Sequence, residues 1–573
     1  MIAKVFLKDL MPAPKPLTLC PSPQLDWSRP STPAATDFGD IYFSTDGGLD
    51  ETKTVFLKGC GLPDAWNGSE RFIIGELGFG SGLNFLAAWQ MWEAHKPENG
   101  HLHFVSIEKF PFSKADLKQA LSAWPELSNY SDQLLAVWPD RVRGFHRLHF
   151  GDVTLTLIHD DIKKALEALD MSANAWFLDG FSPAKNPDMW SPPIMQKLVD
   201  LSEKGARLAT FTVAGDVRRA LSNAGFIVER KTGFGRKRHR LEAYMEGEPP
   251  KFSYETLPAP TVIGTGIGGL SLIEAFKKRG VTPNVIENSQ HIHASGNAAA
   301  LIKPRLDLQD RPESRFFLSS YLYALTRYKQ ISLSQGITHI AKTERDAQRH
   351  KKLSTQAPLP PNHLSLGEKN TLNFNAALVI DPLRYRESVV DSLSVQDISI
   401  ETLPQEGSYF IAAGFGIKSL LPAWPMRFSR GQLTFAKTDG APFRAVSYGG
   451  YALPLAETTL LGATHDRLEN NQNPFEIKRE DDVNNIEQYE KHIGGLAKPS
   501  DHPSRASIRV TSHDTLPVIG QTETGDFVLT GLGSRGFVFA PLLAEAIVSH
   551  YYGDPLPIEK AVWEIFSAKR LFT

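Results

Sequence analysis

The chain has 573 residues, and 62 Lys and Arg against 64 Asp and Glu give it a net charge of −2 at pH 7. Its length exceeds what one hydrophobic core supports, so more than one domain is expected. Its nearly neutral net charge excludes a basic field over the whole molecule, so a nucleic-acid partner would need local patches of positive charge. Two cysteines exclude a disulfide framework, and the absence of a long uncharged apolar run predicts that no segment spans a membrane.

A first glycine-rich loop, Gly78-Phe-Gly-Ser-Gly82, separates the apolar run 71–77 from a helix-forming run. This order predicts the strand–loop–helix unit of a doubly wound α/β sheet. Three later apolar runs, 103–108, 153–158 and 175–178, end near the acids Glu108, Asp160 or Asp161, and Asp179. Because the carboxyl ends of parallel strands meet at one sheet edge, these acids are expected to lie close to the loop.

A second glycine-rich loop, Gly264-Thr-Gly-Ile-Gly-Gly269, follows the apolar run 261–263 and precedes another helix-forming run. Its glycines permit, in turn, a tight turn, the close approach of a pyrophosphate and helix–strand packing. Glu287 closes the next apolar run, where a carboxylate can accept hydrogen bonds from ribose hydroxyls. The sequence therefore predicts a dinucleotide-binding domain, with the Pro-rich stretch 246–260 as the linker before it.

The remainder of the second half predicts an antiparallel substrate-domain sheet. Its short apolar runs are 376–380, 409–412, 431–436, 445–447 and 459–462. A small-residue loop containing Ser295, Gly296 and Asn297 suits the face of a flavin ring. A late glycine turn, Gly531-Leu-Gly-Ser-Arg-Gly536, offers backbone N–H groups to the flavin edge that becomes negative on reduction. These features favour FAD over a nicotinamide cofactor.

Both halves resemble known families. The first is similar to S-adenosylmethionine-dependent methyltransferases in 76–85, 176–187 and 209–219. The second is similar to the D-amino-acid oxidase/glycine oxidase group of FAD proteins in its glycine loops, in 295–297 and in Arg509 with Leu516-Pro517. Fused in this order, they resemble the bifunctional tRNA 5-methylaminomethyl-2-thiouridine biosynthesis proteins. One departure is Asp160, where that family usually has Gly.

The resemblance implies an α/β chain with a class I methyltransferase, a doubly wound sheet, in 1–250 and an FAD-dependent oxidoreductase in 259–573. In the latter, a Rossmann-like FAD-binding part would occupy about 259–310 and 500–573, with the antiparallel substrate sheet between them. The implied cofactors are S-adenosyl-L-methionine and FAD.

The implied activity is a two-step modification of the wobble uridine (position 34) of tRNA. FAD-dependent removal of the carboxymethyl group would convert 5-carboxymethylaminomethyl-(2-thio)uridine to the 5-aminomethyl form. S-adenosylmethionine-dependent N-methylation would then give 5-methylaminomethyl-(2-thio)uridine. The alternative is a small-molecule amine or amino-acid oxidase fused to an N-methyltransferase, without an RNA substrate.

The resemblance also implies the residues of each site. The S-adenosylmethionine contacts would be Glu76, Gly78, Gly80, Gly82, Asn84, Glu108, Asp161 (or Asp160, for the adenine) and Phe181, with Asp179 as the catalytic carboxylate. The FAD contacts would be Gly264, Gly266, Gly269, Glu287, Ser295, Gly296, Asn297, Gly531, Gly533, Ser534, Arg535 and Gly536. Arg509 would anchor the substrate carboxylate as a fork donor, helped by Tyr448 or Tyr451; the alternative is that Arg509 is a structural ion-pair partner.

A basic cluster occupies a hairpin predicted near 226–245. Its members are Lys231, Arg236, Lys237, Arg238 and Arg240, and they predict either an RNA-phosphate contact or a solvated face. His291, His293 and His513 lack metal-ligand spacing and are expected to be ordinary surface or loop histidines. We expect a cytoplasmic enzyme with a tRNA partner, no metal, no membrane contact and no obligate protein partner.

Overall fold

The computed structural model describes residues 15–29, 32–43, 47–235, 237–288, 293–391, 393–399, 407–439, 444–468 and 473–572. Arg236 and His291, two residues of the sequence predictions, lie outside these ranges. None of the helices in the described ranges combines the length and the apolar character needed to cross a membrane.

The first half is built on one mixed sheet. Its described strands, in spatial order, are Ile227–Thr232, His239–Tyr244, Ser202–Thr210, Ala173–Leu178, Arg71–Leu77, His101–Glu108, Val153–His159 and Gly144–Phe150. The central strands are parallel, whereas Gly144–Phe150 and the terminal hairpin run antiparallel at opposite edges. Apolar clusters cover both faces, as a doubly wound sheet requires, so the predicted fold of this half is confirmed. The edge strand Gly144–Phe150 was not predicted.

Helices flank this sheet on both sides. They are Gly48–Thr52, Leu83–His95, Lys114–Leu121, Ser128–Ala136, Ile162–Ala168, Pro192–Asp200 and Gly215–Ala224, with short turns at Lys53–Leu57, Asp64–Trp66, Pro125–Leu127 and Pro187–Trp190. The helix Leu83–His95 begins directly after Gly82, whose φ of +75° is one that side chains rarely adopt. This turn brings the chain from the end of Arg71–Leu77 into the helix at the carboxyl edge of the sheet.

The second half contains a nucleotide sheet, which is mainly parallel. Its described strands, in spatial order, are Val395–Asp397, Asn284–Glu287, Pro260–Ile263, Ser408–Ile411, Phe527–Thr530 and Val518–Gln521, the last being antiparallel. Ser408–Ile411 pairs in parallel with Pro260–Ile263 and with Phe527–Thr530, so the prediction that 409–412 belongs to the substrate sheet was wrong. A short apolar run alone does not identify the strand beside which it will lie.

The substrate sheet forms the rest of the second half. Its strands, in spatial order, are Ala300–Ile302, Leu372–Ile380, Ser332–His339, Ala445–Ser447, Tyr451–Pro454, Thr459–Gly462, Arg427–Thr438 and Asp466–Arg467, with Leu364–Leu366, Ala497–Pro499 and Arg505–Thr511 paired beside them. The pairing is antiparallel except between Ser332–His339 and Ala445–Ser447. Arg505–Thr511 pairs with Arg427–Thr438, so the segment predicted to bind FAD from about 500 begins instead in the substrate sheet.

The helices of the second half are Ile267–Lys277, Pro312–Tyr328, Glu344–Gln356, Pro382–Val390, Ile417–Leu420, Arg479–Ile493, Gly536–Tyr552 and Lys560–Phe566. Single turns lie at Tyr254–Thr256, Lys329–Ile331, Glu368–Asn370, Gly414–Gly416, Gly533–Arg535 and Ala568–Leu571. The helix Ile267–Lys277 packs against Gly536–Tyr552, which joins the first and the last parts of the nucleotide domain in one core.

The two halves meet at a buried, charged interface. Arg279 Nε donates to Asp554 Oδ2 over 2.7 Å, and its Nη1 lies 3.3 Å from Glu545 Oε2. From the first half, His103 Nε2 lies 3.5 Å from Asp554 Oδ1, and His149 Nε2 lies 3.7 Å from Glu545 Oε1. The helix Pro312–Tyr328 covers the edge strand Gly144–Phe150 beside this network. Histidines of the first half therefore meet a buried ionic network of the second half away from solvent.

Candidate active sites

The first candidate site surrounds the loop 78–82 at the carboxyl edge of the first sheet. A Cβ on Gly78, where φ is +91°, would lie 2.6 Å from the Asp179 carbonyl oxygen, so only glycine lets the loop pass this strand end. The Gly80 amide donates to Glu108 Oε2 over 2.9 Å, which places the predicted ribose-binding carboxylate beside the loop. A backbone cradle with an adjacent acid fits the methionine and ribose parts of S-adenosylmethionine.

Asn84 links the two acids beneath this loop. Its Nδ2 donates to Glu76 Oε1 over 2.9 Å and to Asp179 Oδ2 over 2.7 Å, while its Oδ1 accepts from Thr52 Oγ1 over 2.8 Å. Burial raises the pKa of Asp179 to about 7, although the Asn84 hydrogen bond favours the ionised form. A carboxylate with such a pKa can accept a proton near neutral pH, so Asp179 has the acid–base character that its predicted role needs.

Glu76 lies deeper than the other acids of the site. It is buried, its Oε2 accepts from Ser106 Oγ over 2.7 Å, and burial raises its pKa well above the usual value. Both carboxylate oxygens therefore have protein partners. In the structure, Glu76 holds Asn84 in position. Its contact with the cofactor stays a prediction.

In the structure, the neighbouring acids Asp160 and Asp161 have different surroundings. Asp161 begins the helix Ile162–Ala168 by accepting from the Lys163 amide, and its Oδ2 lies 3.1 Å from Lys109 Nζ. Asp160 is buried and is paired with Arg143. Asp161 is the more exposed of the two, and its contact with adenine stays a prediction.

An aromatic cluster borders the methyltransferase loop. Phe181 stacks on Phe38 with ring centroids 4.6 Å apart, and Tyr42 meets Phe181 edge-on at 5.3 Å. Phe38 lies between the second and third strands of a small N-terminal sheet, Leu25–Asp26, Ala34–Ala35 and Asp40–Ile41, and Tyr42 directly follows the third. Sequence reasoning missed this cover; the available signal was a pair of aromatic residues just after a Pro-rich stretch.

The second candidate site is a cavity of about 650 Å³ between the nucleotide sheet and the substrate sheet. The predicted residues that line it are Gly264, Gly266, Glu287, Ser295, Asn297, Tyr451, Arg509, Gly531, Gly533, Ser534, Arg535 and Gly536. Gly269 and Gly296 stand behind its wall: a Cβ on Gly269 would lie 1.7 Å from the Gly264 carbonyl oxygen, and one on Gly296 would lie 3.0 Å from Arg505. These glycines support the loops rather than line the cavity.

Tyr448 does not line this cavity. It is buried in a separate apolar cluster, where its ring stacks on His492 with centroids 5.2 Å apart. Tyr451 lies in the cavity wall, because a reversal of the chain between the two tyrosines turns them to different environments. Of the two predicted helpers, Tyr451 alone is placed to meet a ligand.

Glu287 is held at the end of its strand by two basic partners. His293 Nε2 lies 2.7 Å from its Oε1, and Arg386 Nη2 donates to its Oε2 over 2.7 Å. The His293 hydrogen bond is the main reason that the pKa of Glu287 falls to about 2. An ionised carboxylate keeps lone pairs for ribose hydroxyls, so the FAD assignment fits. His293 is thus not an ordinary loop histidine, and sequence reasoning missed Arg386.

Arg509 lies in the cavity wall without an ion-pair partner among the described residues. Its Nη1 donates to the Thr464 carbonyl over 3.1 Å, and no carboxylate among the described residues lies within ion-pair distance. A Cβ on Gly431 would lie 2.3 Å from Arg509 Nη1, so the guanidinium rests directly on this glycine. A fork donor so placed suits a substrate carboxylate better than the structural ion pair that the sequence left open.

The basic hairpin is less available than the sequence suggested. Arg240 is buried, donates to the Thr232 carbonyl over 2.8 Å and pairs with Glu242, so it cannot reach an RNA phosphate. Lys237 Nζ lies 2.9 Å from Glu51 Oε1, and Lys231 pairs with Glu229. In the part of the chain that the structure describes, no group of three His, Cys, Asp or Glu side chains could hold a metal ion.

Known proteins match both halves. A family model for S-adenosyl-L-methionine-dependent methyltransferases matches residues 125–246, and one for FAD-dependent oxidoreductases matches residues 383–550. The chain is 39% identical over 585 residues to the tRNA 5-methylaminomethyl-2-thiouridine biosynthesis bifunctional protein MnmC of Caulobacter vibrioides, covering 96% of this chain and 98% of that protein.

The protein of the same name from Maricaulis maris is 38% identical over 559 residues, covering 93% of each chain. Among solved structures, iminodiacetate oxidase from Chelativorans sp. is similar with 15% identity and a TM-score of 0.45, covering 54% of this chain and 98% of that one.

Proposed function

Because the chain belongs to the MnmC family of bifunctional tRNA 5-methylaminomethyl-2-thiouridine biosynthesis proteins, we propose that it modifies the wobble uridine of tRNA in two steps. Residues 259–573 remove the carboxymethyl group from 5-carboxymethylaminomethyl-(2-thio)uridine, and residues 1–250 then methylate the exposed amine. The observation that carries the proposal is that one chain holds both sites and matches an MnmC protein along 96% of its length. A tRNA substrate supports a cytoplasmic location.

The first step acts on an N-substituted glycine. FAD, when bound, supplies the acceptor for the two electrons and the hydrogen of the C–H bond next to nitrogen. Water then cleaves the oxidised carbon–nitrogen bond, which releases glyoxylate and leaves the aminomethyl group on the tRNA. Arg509 holds the carboxylate through charge-assisted hydrogen bonds, and Tyr451 forms the neighbouring wall. This anchor would hold the glycine part of the substrate, rather than the uracil ring, inside the cavity.

The second step needs an unprotonated amine placed in line with the methyl donor. S-adenosylmethionine supplies the methyl group. Asp179 accepts the amine proton, and Asn84 fixes the carboxylate through its 2.7 Å hydrogen bond. The stacked rings of Phe38 and Phe181 offer a flat surface beside Asp179 for the uracil ring. Because Asp179 and Phe181 are close in the sequence, the proton acceptor lies beside the proposed base-binding surface.

The experiment uses the purified protein and tRNA that carries 5-carboxymethylaminomethyl-2-thiouridine. Added without oxygen, this tRNA should bleach the flavin absorbance, and nucleoside mass spectrometry should show the aminomethyl form. Adding S-adenosylmethionine should convert it to the methylaminomethyl form. Unchanged nucleosides would contradict the proposal, and equal bleaching by free N-substituted glycines would favour the small-molecule alternative.

A further inference from the structure

Lys303 lies in the wall of the flavin cavity and has no role so far. It directly follows the strand Ala300–Ile302, the edge strand of the substrate sheet, and it lines the cavity with Arg509 and Arg535. Glu287 is the single carboxylate among the described residues that line this cavity, and His293 and Arg386 already bind it. The cavity therefore presents mainly basic side chains to a ligand. The function of each of these side chains needs an explanation.

The surroundings of Lys303 disfavour its protonated form. An ammonium group has three N–H donors, yet among the described residues Lys303 Nζ reaches one hydroxyl acceptor, Ser447 Oγ at 3.0 Å. Phe374 adds an aromatic face, with its centroid 5.3 Å from Nζ. The remaining close neighbour is His339 Nδ1 at 3.4 Å. That nitrogen also lies 2.9 Å from Ser447 Oγ and 3.0 Å from the Ser447 carbonyl, and in the tautomer that donates to this carbonyl it offers Lys303 no acceptor.

Other groups around Lys303 act in the same direction. Burial, followed by the nearby Arg535 guanidinium, lowers the pKa of Lys303 to about 7. Burial and Lys303 in turn lower the pKa of His339 to about 3, so this imidazole stays neutral and adds no compensating charge. Beyond His339, His350 opposes and Asp346 favours its protonation. A neutral amine at Lys303 is therefore accessible near physiological pH.

Lys303 and the proposed carboxylate anchor flank the same part of the substrate sheet. Ser447, the partner of Lys303, lies directly opposite Tyr451 in an antiparallel pair, so the two side chains share one face. The positive charge of Arg509 in turn favours ionisation of Tyr451, and both side chains line the cavity. In an N-substituted glycine the nitrogen is separated from the carboxylate by a single carbon. A carboxylate held by Arg509 therefore keeps its nitrogen within the cavity that Lys303 also lines.

We propose that Lys303 is a catalytic residue that accepts the proton of the substrate's secondary ammonium before oxidation. The ammonium N–H bond breaks, a bond forms between the proton and Lys303 Nζ, and the electron pair stays on the substrate nitrogen. That pair is what the neighbouring carbon needs in order to lose its hydrogen with two electrons. This inference rests on the proposed first step, in which FAD is the oxidant, and it adds a group that the anchor Arg509 cannot provide.

The test compares the wild type with two variants. Lys303→Met has a side chain of similar length that cannot be protonated, and Lys303→Arg stays cationic. Flavin bleaching by carboxymethylaminomethyl-tRNA is followed in a single turnover between pH 6 and 9. In the wild type the rate should rise with pH through about 7, where neutral Lys303 becomes the main form. Both variants should react roughly 100-fold or more slowly and lose this rise.

A second measurement does not depend on turnover. Methoxyacetate keeps the carboxylate of the substrate but has an oxygen in place of the amine, and its binding is followed through the flavin spectrum. Lys303→Met should bind it with unchanged affinity, because Arg509 holds the carboxylate. Lost binding in Lys303→Met that Lys303→Arg restores would overturn the proposal, since Lys303 would then be the carboxylate anchor.

A third measurement uses the wild-type flavoprotein and covers the case in which a variant does not fold. Competitive acetylation by acetic anhydride, followed on the Lys303 peptide by mass spectrometry, should show a midpoint near pH 7. A midpoint near that of ordinary lysines, or a wild-type rate in Lys303→Met, would contradict the inference. If the wild type itself fails to bleach with modified tRNA, the proposed first step fails and the acetylation midpoint still decides the state of Lys303.

Discussion

The two sites use the same backbone device with opposite electrostatics. Each places a glycine loop between a strand and a helix, at the carboxyl edge of a parallel sheet. The methyltransferase site then gathers carboxylates, with Glu76, Glu108 and Asp179 around its loop. The oxidoreductase cavity gathers basic groups, with the cations Arg509 and Arg535 and the amine of Lys303 in its wall. The backbone solves a shared problem of cofactor binding, and the side chains set what each site accepts.

This difference follows the charge of the substrate through the reaction. The incoming group carries a carboxylate beside its secondary ammonium, and the cationic cavity attracts the carboxylate. After its removal the tRNA carries an ammonium group, which the same cavity repels and the acidic site attracts. The sulfonium of S-adenosylmethionine is also cationic and suits the acidic site. The order of the two steps is therefore favoured by charge, whatever route the tRNA takes between the sites.

The strongest test of the acidic site is the removal of Asp179. Asp179→Ala, and its near-isosteric control Asp179→Asn, should slow methyl transfer roughly 100-fold to 10,000-fold because the amine loses its proton acceptor. Demodification should continue, so nucleoside mass spectrometry should find accumulated aminomethyl-uridine. A variant that accumulates the carboxymethylaminomethyl form instead would break the assignment of acids to the second step.

The matching test of the cationic cavity is Arg509→Ala. Loss of a charge-assisted pair costs about 1.5–3 kcal/mol, which corresponds to a fall in kcat/KM of roughly 10- to 150-fold for demodification. The carboxymethylaminomethyl form should accumulate, while methylation of aminomethyl-tRNA is unchanged.

Gly431→Ala is the companion variant for Arg509. Its Cβ would lie 2.3 Å from Arg509 Nη1, so it keeps the cation but displaces it. We expect a smaller defect of the same kind. Full activity of Gly431→Ala together with loss in Arg509→Ala would mean that the position of the guanidinium matters little.

The pH dependence of methyl transfer tests the raised pKa of Asp179. The ionised form accepts the proton, so the single-turnover rate should fall about tenfold per pH unit below about 7. Asn84→Ala removes a hydrogen bond to the ionised form and should move this midpoint upward. Thr52→Val removes the donor to Asn84 Oδ1 and leaves the Asp179 bond, so its midpoint should stay in place. Equal midpoints in all three proteins would contradict the role of Asn84.

Acid should destabilise the first half through its buried histidines, against the opposite effect of Glu76, Glu108 and Asp179, whose pKa values burial raises. Burial lowers the pKa of its histidines His101, His103, His146, His149 and His159. They are neutral in the fold and bind protons when unfolded, so stability falls as pH drops below about 6.5, by up to about 1.4 kcal/mol per pH unit for each group. Thermal unfolding between pH 8 and 5.5 measures this slope. A midpoint temperature that stays constant from pH 6.5 to 5.5 would contradict it.

The sequence predicted those parts whose requirements are local. Gly78 and Gly264 have positive φ and would collide with neighbouring backbone if they carried a Cβ, so the glycine pattern itself reports the loop geometry. Glu108 and Asp179 were also predictable from the local sequence, because each lies at the end of an apolar strand. Contacts between distant segments gave no such signal. Arg386 reaches Glu287 across 99 residues, and Ser447 reaches Lys303 across 144, so neither partner could be read from spacing.

The placement of strands shows the same limit. The run 409–412 is apolar and short, and its position between Pro260–Ile263 and Phe527–Thr530 depends on segments far away in the chain. Tyr448 and Tyr451 looked equivalent because a period-two pattern does not reveal where a strand turns back. Local chemistry was predictable, whereas the choice among equivalent residues required the tertiary structure.

The charged interface also joins residues that the ribosome makes at very different times. Arg147 of the first half donates to the carbonyl of Pro555, and 408 residues separate the two. At about 5–20 residues per second, the ribosome needs roughly 20–80 s to span that distance. During this interval the methyltransferase half is completed and holds Arg147, His103 and His149 at a surface whose partners have not yet been made. The helix Gly536–Tyr552 and the residues just after it therefore complete not only the flavin domain but also a face that was built long before them.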